Sequence, residues 1–408
     1  MPKPPREDVE DRAPAATDGA GRTLHDLFDA LKDHGSDPAI LTPEADGLKS
    51  LSYEELSGAI WDLTSEITGR GTGRGDRVAI IGRNRASWVI ACLSAVNAGA
   101  IAVPVDASLD EETLRHVLSD AAPGLVFADE ELQESVGRLA GSDVEIRDMP
   151  ARPERGAHAA RPAVGPGDTA LLFYTSGTTG PPKGVPLTHA NLMFELDRLI
   201  EMRLVERGER LLLPLPMHHT YPFVVGLLTS LSYGVGVVFP RSLTGPDMQA
   251  AMRDGRVNTV LGVPRLYDTL VDGIDRRAAE SGWIARKLYD ALVRACVFSH
   301  RRLSVPVGRV LMAPVRRRVA PALRLLVSGG AALDEDLAWR LDSLGWTVAT
   351  GYGLTETAPI LTVLPPGDKH FASAATPSPR TAGIAPRTAG GLTTRAICTC
   401  SAGPRSSS

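Results

Sequence analysis

The stretch Tyr174 to Gly184 reads YTSGTTGPPKG and follows the apolar run Thr169 to Phe173. It holds four aliphatic hydroxyls (Thr175, Ser176, Thr178, Thr179), three glycines and one lysine, Lys183. The apolar run reads as a strand that delivers the chain into a phosphate-gripping loop. Its hydroxyls can donate to anionic oxygens, Gly177 and Gly180 let backbone N–H groups approach closely, and Lys183 adds positive charge. Pro181 and Pro182 stiffen the exit and so reduce the entropy lost on closing over a ligand. Most Ser/Thr/Gly clusters are plain surface loops, but the length, the order of residues and the upstream strand favour the phosphate reading here. The stretch is not a Walker A loop, which requires G-x-x-x-x-G-K-[ST]; Pro182 precedes the lysine and Gly184 follows it, so P-loop phosphoryl transfer is excluded.

Working outward, 408 residues with 43% hydrophobic and 23% charged side chains suit a soluble protein with large buried cores. A net charge of −4 argues against a dedicated nucleic-acid binder. Cys92, Cys296, Cys398 and Cys400 have no zinc spacing and are too few for a disulfide scaffold, which suits a reducing cytoplasm. Residues 1–20, charged and rich in Pro and Ala, read as a disordered leader, not a signal peptide. Between Arg210 and Arg241 no residue is charged, yet Pro214, Pro216, His218, His219, Pro222 and Gly226 punctuate the stretch, so strand, buried helix, strand is preferred to a membrane span.

Along the chain, Leu24 to Leu31 and Tyr53 to Ile67 have helical spacing, and Ser52 with Glu55 forms a capping box. The run GRGTGRGD (Gly69 to Asp76) precedes a strand, so it is a tight turn and not a dinucleotide fingerprint. Strands are expected at Val78–Ile81, Ala100–Val105 and Gly124–Ala128, with helices at Ser87–Ala98 and Asp110–Ala121, the alternation of a parallel α/β sheet. Ala151 to Gly167 reads as a linker or surface excursion. Past the phosphate loop, Thr188 caps a helix over His189–Leu204. The rhythm then resumes with strands at Leu211–Leu215, Val235–Phe239 and Thr259–Val263 and helices at Phe223–Leu231 and Pro246–Asp254, which builds a second sheet. Two α/β subdomains, about 21–165 and 166–368, are expected.

From Arg276 to Arg324 twelve Arg or Lys residues face two acids, Glu280 and Asp290, with Trp283, Leu288, Leu292, Val293 and Val297 at helical spacing. Such a segment can rest on anionic lipid as a peripheral contact at the inner membrane face; a solvated basic face weighs more heavily. The apolar strand Leu323–Val327 then runs into SGGAAL (Ser328 to Leu333). Trp346–Thr350 runs likewise into GYGLTET (Gly351 to Thr357). Glycines at two strand ends, with the hydroxyl loop, can line one crevice at the carboxyl edge of a sheet.

YTSGTTGPPKG, SGGAAL and GYGLTE, in this order, resemble the adenylate-forming superfamily of acyl-CoA synthetases, luciferases and peptide-synthetase adenylation domains. The resemblance covers roughly Leu24 to Gly367. LPMHHTYP (Leu215 to Pro222) and GVPRLYD (Gly262 to Asp268) look most like the long-chain fatty acyl-CoA synthetase branch. The fold this implies is α/β: two stacked, mostly parallel sheets with flanking helices. The activity it implies is attack of a carboxylate on the α-phosphate of ATP, then transfer of the acyl group to coenzyme A. By the same resemblance, Thr175, Ser176, Gly177, Thr178, Thr179, Gly180 and Lys183 would hold the β- and γ-phosphates. Gly329, Gly330 and Ala331 would line the adenine and carboxylate, and Tyr352, between Gly351 and Gly353, would stack on adenine. Thr355 would touch the α-phosphate and Glu356 would bind Mg²⁺. His219 would sit beside the acyl carboxylate, a place His218 could equally fill, and either can be an ordinary core histidine. Tyr221 to Leu231 would line a fatty tunnel or simply pack in the core. An aryl or amino-acid substrate, or a non-catalytic ATP-binding fragment, are the competing readings.

After Pro365-Pro366-Gly367 the family's β-barrel, its ribose-binding aspartate, its arginine hinge and the small C-terminal domain with its lysine are not recognisable. Ala372 to Ser408 has no Asp, Glu or Lys and only Ile384, Leu392 and Ile397 as large aliphatics, too little to offset ordering entropy. Residues 369–408 are expected to be an out-of-frame, disordered tail, and adenylation by such a chain to be very weak, since each lost charge-stabilising donor costs about 10²- to 10³-fold. Reading the neighbouring frame of the gene beyond codon 368 should reveal the ribose-binding aspartate motif; its absence there would refute the out-of-frame origin.

Overall fold

A computed structural model of the chain describes residues 21–44, 47–150, 161–175, 180–364 and 398–399. Its strands, in chain order, are β1 (Pro38–Glu44), β2 (Gly47–Ser52), β3 (Arg77–Ile81), β4 (Ile101–Val105), β5 (Leu125–Ala128), β6 (Glu145–Asp148), β7 (Thr169–Thr175), β8 (Lys183–Thr188), β9 (Arg210–Leu212), β10 (Gly236–Val238), β11 (Thr259–Gly262), β12 (Leu325–Ser328), β13 (Thr347–Tyr352), β14 (Thr362–Leu364) and β15 (Cys398–Thr399). They form a nine-stranded sheet, β15-β14-β13-β12-β11-β9-β10-β1-β2, and a six-stranded one, β6-β5-β3-β4-β7-β8. Pairing is parallel except at β1–β2, β13–β14 and β7–β8. The expected fold class, two mostly parallel sheets with flanking helices, is what the chain adopts.

The central strands β3, β4 and β5 are buried nearly end to end, as parallel strands covered on both faces must be. One core lies between the sheets. It joins Ile40, Leu211 and Val237 of the larger sheet to Ile80, Leu171 and Phe173 of the smaller through the helices Tyr53–Gly69, Ala86–Asn97 and His189–Glu201. A second core covers the outer face of the nine-stranded sheet and a third the outer face of the six-stranded one. The sheets do not divide at 165/166. β1 and β2 enter the larger sheet beside β10, while β7 and β8 close the edge of the smaller one. Long-range pairing, invisible to local periodicity, decides this membership.

Local signals set many of the boundaries. Ser52 Oγ accepts from Glu55 N at 3.2 Å and Glu55 Oε2 from Ser52 N at 2.9 Å, closing the expected box. Thr188 Oγ1 likewise accepts from Asn191 N at 3.2 Å and starts the helix, which ends at Glu201, three residues before the expected Leu204. The helix Glu130–Ala140 and the strand β6 were not expected. Their polar sequence buries only Val136 fully, because both sit at a sheet edge. Phe223–Leu231, read as one helix, is a π-helix over Pro222–Leu228 followed by an α-turn, Thr229–Tyr233. Its side chains Phe223, Val224, Leu227, Leu228 and Leu231 pack wholly inside the inter-sheet core, with the Phe223 ring edge-on to Phe173 and Trp88 at 5.7 and 6.1 Å. Tyr221 and Val225 of the same segment are only half-buried.

The expected linker is irregular over 161–167, and 151–160 lie outside the described residues, as do the leader 1–20 and most of the tail. No helix among the described residues is long and apolar enough to cross a membrane. Because the Thr188 cap begins the helix that backs the hairpin β7–β8, Thr188→Ala should cost about 1 kcal/mol of stability, read as a lower urea midpoint at unchanged slope.

Candidate active-site crevice

The phosphate-loop stretch is the turn of the β7–β8 hairpin. Tyr174 pairs with Gly184 and Thr175 with Lys183, so Thr175 and Lys183 flank the loop mouth. Ser176, Gly177, Thr178 and Thr179 lie outside the described residues; Gly180 and Lys183 are exposed. Lys183 forms no salt bridge among the described residues. Two side chains of the neighbouring helix Glu111–Ala121 brace the hairpin: Tyr174 Oη donates to Asp120 Oδ2 at 2.6 Å, and His116 Nε2 lies 3.0 Å from the Pro182 carbonyl.

The two glycine-bearing strand ends are neighbours. β12 and β13 pair in parallel with Ser328 opposite Thr350, so SGGAAL and GYGLTE leave the sheet side by side. The hydroxyls of Ser328 and Thr350 are buried and have no hydrogen-bond partner among the described residues. Two tyrosines fix this end of β12. Tyr221 Oη and Tyr267 Oη both donate to the Val327 carbonyl, at 3.2 and 2.7 Å. Burial pushes both phenols up, so each remains a donor at neutral pH. The Tyr221 ring lies flat against Gly329, where a Cβ would stand 2.7 Å from the ring. Only glycine tolerates that approach.

The segment that carries Thr355 and Glu356 folds back on itself. Leu361 N donates to Tyr352 O at 2.9 Å, and Thr357 Oγ1 accepts from Leu354 N at 3.0 Å. A Cβ on Gly353 would overlap the Pro359 carbonyl oxygen at 1.6 Å, so this turn requires glycine too. Thr355 is half-buried and Glu356 exposed in a single 3₁₀ turn. Cα atoms of β8 come within 8 Å of this turn. The second strand of the hydroxyl hairpin thus lies beside the GYGLTE turn, and GYGLTE leaves the larger sheet next to SGGAAL.

His218 and His219 enter the same region from the loop after β9. Asn84 holds that loop: its Nδ2 donates to Leu215 O at 2.7 Å and its Oδ1 accepts from Met217 N at 3.1 Å. The two imidazoles lie 4.3 Å apart, and His218 Nε2 is 3.5 Å from Asp106 Oδ2 at the end of β4. Burial, and then His219, lower His218 to about 4 against the smaller pull of Asp106. Partial burial lowers His219 as well. Burial would raise Asp106, but the Ser108 N–H and hydroxyl and the two histidines outweigh it, so its carboxyl is held low. At neutral pH the pair is uncharged beside a carboxylate. His219 is the more exposed of the two.

Four supporting residues went unremarked in the sequence: Asn84, Asp106, Tyr267 and Glu195. Their partners lie far away along the chain, and only strand-end positions hint at the first two. Glu195, on the helix His189–Glu201, is buried and accepts from Ile360 N at 3.2 Å, which ties that helix to the end of the Thr355–Glu356 segment.

A sequence model of the AMP-binding enzyme family matches residues 27–385. The chain belongs to the AMP-binding enzyme family. The match runs past Gly367, where the recognisable motifs were expected to stop. A feruloyl-CoA synthase of Amycolatopsis sp. is 29% identical over 332 residues, 80% of this chain and 59% of that protein. A long-chain-fatty-acid–CoA ligase, FadD15, of Mycobacterium bovis is 28% identical over 359 residues, 77% of this chain and 59% of the other. The chain thus spans about three-fifths of these relatives. The N-terminal domain of FACL13 from Mycobacterium tuberculosis shares the fold, with TM-score 0.65 and 22% identity over 84% of this chain and 79% of that one. Among the described residues no three His, Cys, Asp or Glu form a metal cluster. A Mg²⁺ ion held through phosphate oxygens needs only one or two carboxylates, and Glu356 is an exposed carboxylate on the 355–357 turn.

Burial pushes the Glu195 carboxyl up to about 9, opposed in part by the Ile360 N–H. A folded-state value above the unfolded 4.5 means that the stability from the neutral acid is complete below pH 4.5 and is lost as pH rises towards 9. Glu195→Gln, a permanent mimic of the neutral acid, should gain about 2 to 3 kcal/mol at pH 7 and nothing below pH 4.5. Urea titrations across that range check it; a variant less stable than the parent at pH 7 would show that Glu195 is held ionised.

Proposed function

We propose that this crevice binds ATP and activates a carboxylic acid, with the thiol of coenzyme A as acceptor of the acyl group. The observation that carries the reading is the approach of β8, which begins at Lys183, to the 355–357 turn that holds Glu356. Lys183, Thr175 and the hydroxyl loop Ser176–Gly180 would bind the β- and γ-phosphates and balance the charge that develops on leaving pyrophosphate. Thr355 would contact the α-phosphate. A Mg²⁺ ion on Glu356 would supply charge neutralisation there when bound. Gly329, Gly330 and Ala331 would let the adenine and the carboxylate lie against backbone, with Tyr352 against the ring between Gly351 and Gly353. His219, neutral and solvent-facing, would orient the acid's carboxylate, with His218 held away on Asp106.

The acid is proposed to be apolar. Both relatives named above act on hydrophobic acids, by their names a long-chain fatty acid and a feruloyl group. LPMHHTYP and GVPRLYD, which meet through Tyr221 and Tyr267 at Val327, support the fatty acid. The burial of Phe223, Val224, Leu227, Leu228 and Leu231 supports a more compact aryl acid as a second reading. Cytoplasmic residence accords with the buried free thiols Cys92 and Cys296. Calorimetric titration of the 408-residue chain with Mg-ATP tests the core of the proposal. Saturable binding should weaken about tenfold or more in Lys183→Ala, as befits a lost charge-assisted contact of roughly 1.5–3 kcal/mol. Glu356→Gln should remove the Mg²⁺ dependence. Absence of nucleotide binding by the folded parent chain would refute it.

A further inference from the structure

The helix Trp283–Leu303 has two apolar faces. Tyr289, Leu292, Val293, Cys296 and Val297 point inward and belong to the outer core of the larger sheet. The second face runs through Ile284, Leu288, Ala291, Ala295 and Phe298. Steps of four, three, four and three residues keep them on one side of the helix. All five are exposed. Ile284 is 65%, Leu288 60% and Phe298 61% exposed, and Trp283 beside them 70%. Soluble monomers rarely leave so many large apolar side chains contiguous in water.

Cations border this stripe. Lys287 sits over the Trp283 ring at 5.1 Å, and Arg294 and Arg302 are exposed. None of these three forms a salt bridge among the described residues. Arg301 is paired with Glu335 at 3.1 Å, and the helix's one acid, Asp290, is held by Arg286 at 3.0 Å, which leaves no acid free to balance the stripe. Val310, 76% exposed, and Arg309 extend the same character beyond the helix.

We infer that this face docks on an anionic lipid surface. An apolar line flanked by unpaired Lys and Arg is the pattern of a helix lying in the membrane interface, with its apolar side among the acyl chains and its cations at the headgroups. A second copy of the chain is disfavoured, because a two-fold self-contact would bring Lys287, Arg294 and Arg302 against their own kind. From Ile284 to Phe298 the line extends about 21 Å at 1.5 Å per residue. It is too polar to span a bilayer, so it lies along the interface. The inference makes no use of the crevice and stands or falls apart from the adenylation reading.

Flotation of the full chain with vesicles tests it, using phosphatidylcholine alone and phosphatidylcholine mixed with phosphatidylglycerol, at low and high salt. The chain should float with the anionic vesicles only, lose them at high salt, and show a blue-shifted tryptophan emission when bound. Arg294→Gln with Arg302→Gln should weaken partition about twenty-five-fold, at about fivefold for each cation. Ile284→Ser with Leu288→Ser and Phe298→Ser should abolish flotation while the thermal transition is unchanged, since all three side chains face solvent. Equal flotation on neutral vesicles, none on either kind, or full flotation by the serine variant would each overturn the inference. So would a concentration-dependent dimer that the serine variant loses. The lipid and salt comparisons on the parent chain decide the matter even if a variant fails to fold.

Discussion

The carbonyl of Val327 is where the crevice is anchored. Two phenol hydroxyls, from Tyr221 after β9 and from Tyr267 after β11, converge on this oxygen at the last turnout of β12. An unpaired buried carbonyl would cost roughly 1–3 kcal/mol, so the pair stabilises the strand end and also fixes how two separate segments meet it. Tyr221 then spreads its ring over Gly329, and the histidine loop comes with it. Any side chain at 329 would push that ring away and part the histidines from the glycine-lined edge.

The same arrangement recurs around the crevice. Asn84 belongs to the loop after β3 in the smaller sheet yet clamps Leu215 and Met217 from the larger one. Asp106 ends β4 and faces His218. Glu195 belongs to a helix between the sheets and holds Ile360. Each is a single polar side chain reaching to a connection between strands, where it meets a backbone or ring nitrogen. Burial sets their protonation: it keeps Glu195 neutral and His218 uncharged, while Asp106, with its Ser108 donors, stays ionised. The chemistry proposed for the crevice thus rests on how the two sheets are stacked, because that stacking decides which groups lose water.

The helix Trp283–Leu303 illustrates a different division. Its sequence declares a basic, amphipathic segment, and Leu292, Val293 and Val297 do face the core. The outward stripe from Ile284 to Phe298 shares the same periodicity, shifted around the helix, and composition alone cannot assign it to water or to protein. Packing of the inner face against the sheet settles it by using up one side only.

What the amino-acid order determined by itself was local: the apolar runs of β3, β4, β5 and β12, the caps at Ser52 and Thr188, the glycines at the two strand ends and the hydroxyl loop between strands. These follow from side-chain periodicity, backbone freedom and short-range hydrogen bonds, all readable within a few residues. Only the tertiary structure placed β1 and β2 beside β10, closed the β7–β8 hairpin onto the smaller sheet, packed Phe223 to Leu231 as core, and brought Asn84, Asp106, Glu195 and Tyr267 to the crevice. Those outcomes depend on contacts between residues far apart in the chain, whose partners no local pattern names, and on the water excluded when the two sheets meet.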